Sequence, residues 1–196
     1  MLTVDADAGV VERRLVGGEL VCPSCSAGLG PWGWARPRVV GRGDRCVRVR
    51  PRRSRCRGCR ATHVLLPALL LVRRCDPVEV IGRALVAGAA GAAMRPLARA
   101  VGAPRSTVRG WLARFDSSAQ RLRAHFTRWA LWLDPHLVRL EPSGSGFADA
   151  LAALVAAGDA AGRRLGATCL WAFASAATGG RLLANTSSPF PAPWRG

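Results

Sequence analysis

Apolar residues recur at helical spacing through the second part of the chain, and they alternate with polar ones only in the first third. The densest helical pattern runs from Asp76 to Phe115, DPVEVIGRALVAGAAGAAMRPLARAVGAPRSTVRGWLARF. It predicts a supporting helix with Val78, Ile81, Leu85 and Ala89 on one face, then two helices joined at Gly102. With Gly102 at the turn, Leu97 and Val101 fall at the buried positions of the first helix of the pair. Val108 and Trp111 fall at those of the second, and Ala103 follows the turn. Ala98 is small where the helices cross closest, and Gly102 tolerates positive φ. Arg105, Ser106, Thr107, Arg109 and Arg114 fall on the outward side. This is a helix-turn-helix pattern, and its polar side suits a helix that enters a DNA major groove. The competing reading is a helical hairpin that only packs or binds protein.

Asp76, Pro77 and Glu79 read as a capping box at the N-cap, N1 and N3 positions, with Cys75 stapled on Val80. After Phe115 the helical spacing continues. Asp116 or Ser117 is placed to cap a helix whose stripe is Leu122, Phe126, Trp129 and Leu133, with Arg121, Arg123 and Arg128 off it. Asp134-Pro135 ends that helix. Pro142 to Gly146 reads as a break, and Phe147, Leu151, Leu154 and Val155 form another stripe. A last helix is expected over about 167–177, with Cys169 in the core. Residues 186–196 read as an irregular Pro-rich tail, whose Trp194 docks on its own core or on a partner.

The first third carries different signals. Val11–Leu20 reads as a first strand or a loosely held N-terminus. Cys22-Pro-Ser-Cys25 and Cys56-Arg-Gly-Cys59 are two C-x-x-C pairs with thirty residues between them. Two such knuckles on two hairpins bring four thiolates to one tetrahedral zinc ion. The alternation over 45–50 and the run His63-Val-Leu-Leu66 supply the strands of a zinc ribbon with a long central excursion. Iron–sulfur ligation or redox chemistry competes, but a thioredoxin-like site needs a single C-x-x-C in a βαβ frame. Cys46 and His63 are spare candidate ligands; an ordinary surface Cys and a strand His are the favoured readings. The stretch LLPALLLV is expected to pack ribbon and helices together.

The chain has 196 residues, enough for one or two domains, and a net charge of +17, from 29 basic side chains that are all Arg against 12 acids. That balance implies an anionic partner, most simply double-stranded DNA, with a membrane surface the lesser alternative. Between Arg36 and Arg60 there are eleven Arg and one acid, Asp44. On ribbon hairpins, Arg48, Arg50 and Arg52 are placed to contact phosphates; a solvated face is the alternative. No targeting signal is visible, and the uncharged stretches are too short to span a bilayer. A cytoplasmic location follows, where paired cysteines favour metal over disulfide. The acids beyond the helix-turn-helix, Asp116, Asp134, Glu141, Asp149 and Asp159, lie on helices and breaks, not on strands as a two-metal nuclease requires. The chain is therefore expected to bind and not to catalyse.

The residues from Arg55 through Cys56, Cys59, His63 and Pro67, the Asp76-Pro-Val-Glu-Val-Ile segment and Leu97 to Leu112 together resemble an uncharacterised zinc-ribbon and helix-turn-helix family of high-GC bacteria. Residues 20–115 are also similar to the N-terminal part of insertion-sequence transposases. The resemblance implies DNA binding linked to mobile elements, with a separately encoded transposase as a possible partner. The catalytic domain of full transposases is missing, which implies an accessory or regulatory role. A free-standing transcriptional regulator and a protein-interaction adaptor are the alternatives. The expected fold class is mainly α, a helix-turn-helix bundle with a small N-terminal β zinc ribbon. Its expected layout is a ribbon over 19–70, a DNA-binding unit over 76–134, a helical hairpin over 142–185 and the tail.

Overall fold

Strand pairing in the first third is set by the two cysteine knuckles. In this computed structural model, which describes residues 1–41, 46–138, 140–167, 169–185 and 189–191, each knuckle turns one strand back on the next. Strand β1 (Leu2–Val4) is followed by helix α1 (Ala8–Val16), then β2 (Leu29–Trp34), β3 (Arg38–Val40), β4 (Val47–Val49), β5 (Arg52–Cys56) and β6 (Thr62–Pro67). The main sheet has the order β1-β6-β5-β2, and β3 and β4 pair separately. β1 runs parallel to β6, and the β2–β5 and β5–β6 pairs are antiparallel. This mixed sheet with its own helix is more than the small ribbon expected.

Helix α1 corrects the expectation of a strand or a loose end over Val11–Leu20. The Asp7 carboxylate accepts the backbone N–H groups of Gly9 and Val10, an N-cap that starts the helix. Val11 and Leu15, four residues apart, are then buried on one face. Arg52 of β5 pairs with Glu12 of α1 at 2.8 Å and ties helix to sheet.

The helical part follows the apolar pattern closely. Its elements are α2 (Val78–Ala89), α3 (Met94–Val101), α4 (Arg105–Asp116), α5 (Ala119–Leu133), α6 (Gly146–Leu165) and α7 (Leu170–Ala177). Gly102 joins α3 to α4 in the left-handed region at φ 66°. Leu97, Ala98, Val101, Ala103, Val108 and Trp111 are all buried, and so is the full stripe Leu122, Phe126, Trp129, Leu133.

Several local expectations are corrected. Pro77, not Asp76, sits at the N-cap of α2, so the capping box is out of step by one residue. Asp76 is buried beside the Cys75 thiol, which is exposed and does not staple Val80. Glu79 instead accepts from the Cys169 thiol at 3.3 Å. Cys169 is not core: it is the N-cap of α7, and its sulfur accepts the Ala172 N–H. Neither Asp116 nor Ser117 caps α5, because α4 runs through Asp116 and Ser118 takes the cap position. Ala89 and Val155 lie on exposed turns of their helices. Trp194 lies outside the described residues.

α5 and α6 pack along each other. Arg123 near the start of α5 pairs with Asp149 near the start of α6, and Asp134 just past α5 pairs with Arg163 near the end of α6. The two helices therefore run in the same direction, so the chain from Asp134 to Ser145 has to span the length of α5. A helix of 15 residues is about 22 Å long, within reach of twelve extended residues at about 3.3 Å each. One apolar cluster holds all of α2 to α7 together, from Leu71 to Leu183. The LLPALLLV stretch joins the two parts as expected: Leu65 is in the ribbon cluster, Leu71 in the helical one, and Leu66 and Leu70 lie between them with Val40. The Ser175 hydroxyl donates to the Leu70 carbonyl at 2.8 Å, and the Val72 N–H donates to the Gly180 carbonyl at 2.8 Å.

Candidate metal centre and nucleic-acid interface

The two knuckles are built alike. The N–H of Cys22 donates to the Ala27 carbonyl at 2.8 Å, and the N–H of Cys56 donates to the Ala61 carbonyl at 2.8 Å. The residue after each second cysteine takes positive φ, Ser26 at 59° and Arg60 at 64°. Within the second knuckle a side chain at Gly58 has no room: an added Cβ would stand 2.9 Å from the Ala27 methyl. The β2–β5 ladder sets Leu29 opposite Cys56 and so brings one knuckle onto the other.

Their four sulfurs meet. Cys22 Sγ lies 3.7 Å from Cys59 Sγ, and Cys25 Sγ lies 3.4 Å from Cys56 Sγ. All four lie within 4.8 Å of one another. A tetrahedral ion with Zn–S bonds of about 2.3 Å places its sulfurs about 3.8 Å apart, so the set has the size of such a site. Cys22 and Cys56 are buried while Cys25 and Cys59 are exposed. An ion held by all four sulfurs would have no open position, the arrangement of a structural site. Tetrahedral sulfur suits zinc or iron.

Backbone N–H groups prepare the thiolates. The Ser24 amide, then that of Cys25, holds the Cys22 thiol down to about 7 against the effect of burial. The amides of Ala27 and Cys59 bring Cys25 down to about 6. The Ala61 amide also points at Cys59, yet the neighbouring thiols of Cys25, Cys56 and Cys22 together with burial push it up to about 11. Four sulfurs this close cannot all carry charge unless a cation joins them. His63 is more than the ordinary strand residue expected. It is buried on β6, with Nε2 3.5 Å from Cys22 Sγ. Cys46 is exposed, as an ordinary surface cysteine.

The basic residues divide into free and occupied. On α4, Arg105, Ser106 and Arg109 are exposed, Thr107 is half-buried, and Val108, Trp111 and Phe115 point inward. Arg114 is half-buried and folds back to donate to the Gly110 carbonyl at 2.9 Å. Pro104 occupies the N-cap and offers no capping side chain, and no acid lies in the first turn. On the ribbon, Arg48 and Arg50 are exposed. Arg52 is not free. Its guanidinium binds both carboxylate oxygens of Glu12 and the Gly33 carbonyl, and its side chain is 14% exposed. Sequence reading also passed over Trp32 and Trp34, which are exposed beside arginines. A Trp-Gly-Trp run next to the Arg-rich segment was the available signal.

Among the described residues no helix is long and apolar enough to cross a membrane. No protein-family model, curated protein or solved structure matches this chain.

Proposed function

We propose that this protein binds double-stranded DNA through α4, with a zinc ion at Cys22, Cys25, Cys56 and Cys59 holding a basic ribbon beside it. The observation that carries the reading is the first turn of α4. Arg105 and Ser106 stand exposed on it, with Arg109 one turn along, while Val108 and Trp111 anchor the opposite face. A helix N-terminus with uncapped amides and no acid also attracts phosphate. The net charge of +17 supplies the long-range attraction. Zinc, when bound, supplies the cross-link that fixes the two knuckles; the chain's own residues contact the DNA. The accessory or regulatory link to a transposase rests on the resemblance of residues 20–115 alone.

Two sets of arginines serve different ends in this reading. Arg109, one turn along from Arg105, reads a base edge, and a bidentate contact to guanine discriminates by about 1–3 kcal/mol. Arg48 and Arg50 contact phosphate. Binding titrations at several salt concentrations, on a selected site and a scrambled one, separate the two. Arg109→Ala is expected to reduce sequence preference with the salt slope little changed. Arg48→Ala with Arg50→Ala is expected to weaken binding to both DNAs and to flatten the slope by about two. Equal loss on both DNAs for Arg109→Ala would remove α4 as the reader.

A further inference from the structure

Strand β2 is one edge of the main sheet and carries two tryptophans outside the apolar core clusters. Trp32 is 48% exposed and Trp34 49% exposed. Neither ring is bare. The Arg55 guanidinium lies 4.5 Å from the Trp32 ring centre, and those of Arg52 and Arg50 lie 4.8 and 5.9 Å from the Trp34 ring centre. Gly33 between them takes φ 76°, and the β2–β5 register shifts between Pro31 and Trp34. Strict alternation would put both rings on one side of the strand; the bulge breaks that alternation between them. Arg52, clamped by Glu12 and the Gly33 carbonyl, holds the Trp34 ring from one side and leaves the rest of it in water.

We propose that Trp32 with Arg55, and Trp34 with Arg50 and Arg52, are stacking platforms for unpaired nucleobases at the β2 edge of the ribbon. A large flat ring with a guanidinium against it offers a base a stacking partner and its phosphate a cation. The surrounding charge selects nucleic acid over protein, since eleven Arg face one acid between Arg36 and Arg60. Bases inside a duplex are already covered by their neighbours, so only bases out of the stack gain from these rings. The inference rests on the nucleic-acid reading above and adds a second kind of strand to it.

The test uses the full, zinc-loaded chain. Its probes are a twelve-nucleotide oligothymidylate, the same length of oligouridylate and a blunt duplex, followed by tryptophan fluorescence and by direct titration. Quenching by either single strand is expected, and the ratio of the two affinities identifies DNA or RNA as the source. The Trp32→Ala, Trp34→Ala double variant is expected to lose about tenfold or more in single-strand affinity while keeping its duplex affinity. The Trp32→Phe, Trp34→Phe variant, which keeps the rings, is expected to retain most of it. Should the alanine variant fail to load zinc, Trp32→Leu, apolar but without a ring, replaces it. Single-strand binding unchanged by ring removal, or lost equally with duplex binding, overturns the proposal. A wild-type chain that binds the duplex but neither single strand overturns the stacking site and leaves the α4 reading standing. A chain that binds no probe overturns both.

Discussion

The ribbon and the helical part solve the same problem by different means. The ribbon cluster contains eight buried apolar residues, and two of them, Cys22 and Cys56, are candidate metal ligands. The helical cluster contains twenty-nine, among them Phe115, Phe126, Trp111 and Trp129. A core of the first size does not hold a sheet together unaided; small domains rely on a metal or other cross-link. The second is large enough to stand on buried area alone, since each large apolar side chain contributes about 1.5–3 kcal/mol. One half is held at a point and the other over a surface, so they should fail differently.

Metal removal is the largest expected effect. A structural tetrathiolate zinc site contributes on the order of 10 kcal/mol of apparent binding free energy to folding. Chelation, or Cys56→Ser, is expected to abolish dispersion of the ribbon resonances in NMR spectra while the helical signal at 222 nm stays largely intact. Elemental analysis should find one zinc per chain, and less than about half an equivalent with four free thiols contradicts the site. Collapse of the helical signal on chelation would erase the distinction between the halves.

Phe126→Ala is the converse experiment. Phe126 is fully buried and packs near His125 and Phe173. Its truncation is expected to cost about 3–5 kcal/mol in denaturant unfolding of the helices. Zinc stoichiometry should not change, and a variant that also loses zinc shows that the ribbon depends on the helical core.

The smallest effect is set by pH. His125 is buried, with Nε2 2.9 Å from the Ala177 carbonyl, and burial is the main cause that brings its pKa down to about 4. The folded state keeps it neutral while the unfolded chain takes up a proton below its ordinary value of 6.5. Stability of the helical part is therefore expected to fall as pH drops from about 6.5 to about 4, by up to about 3 kcal/mol, and to lose nothing further from this group below that. The difference between wild type and His125→Gln isolates it, because acid titration of the cysteine cluster and of any metal on it is common to both. An equal pH slope in the two proteins would reject His125 as the sensor.

Periodicity carried the helical half because its positions answer to a single rule. Leu97, Val101, Val108 and Trp111 are spaced as one helix pair needs, and every one is buried. The knuckles were equally legible, since C-x-x-C spacing directly encodes the shape of the site. What escaped depended on partners distant in sequence. Arg52 reads as a phosphate contact because Glu12, which holds its guanidinium, stands forty residues earlier. The capping box at Asp76 failed by one residue, because Pro77 suits the N-cap backbone as well as N1. His63 looked ordinary because its neighbour Cys22 lies on another hairpin. Trp32 and Trp34 do stand at strand spacing, but the arginines beside them, Arg50, Arg52 and Arg55, come from a later part of the chain.

The clasp at Gly180 bears on the order in which the chain is made. Gly180 holds the Val72 amide, and at φ 73° it lies so close to Leu66 that an added Cβ would come within 2.8 Å. Ser175 holds the Leu70 carbonyl in the same way. A ribosome releases the ribbon and the helix-turn-helix segment long before either residue, at about 5–20 residues each second. For several seconds the two early units exist without the strap that fixes their junction. These two ties therefore close late in biosynthesis, and a nascent chain halted before Ser175 holds the junction only by earlier bonds such as Gly41 N–H to the Cys75 carbonyl.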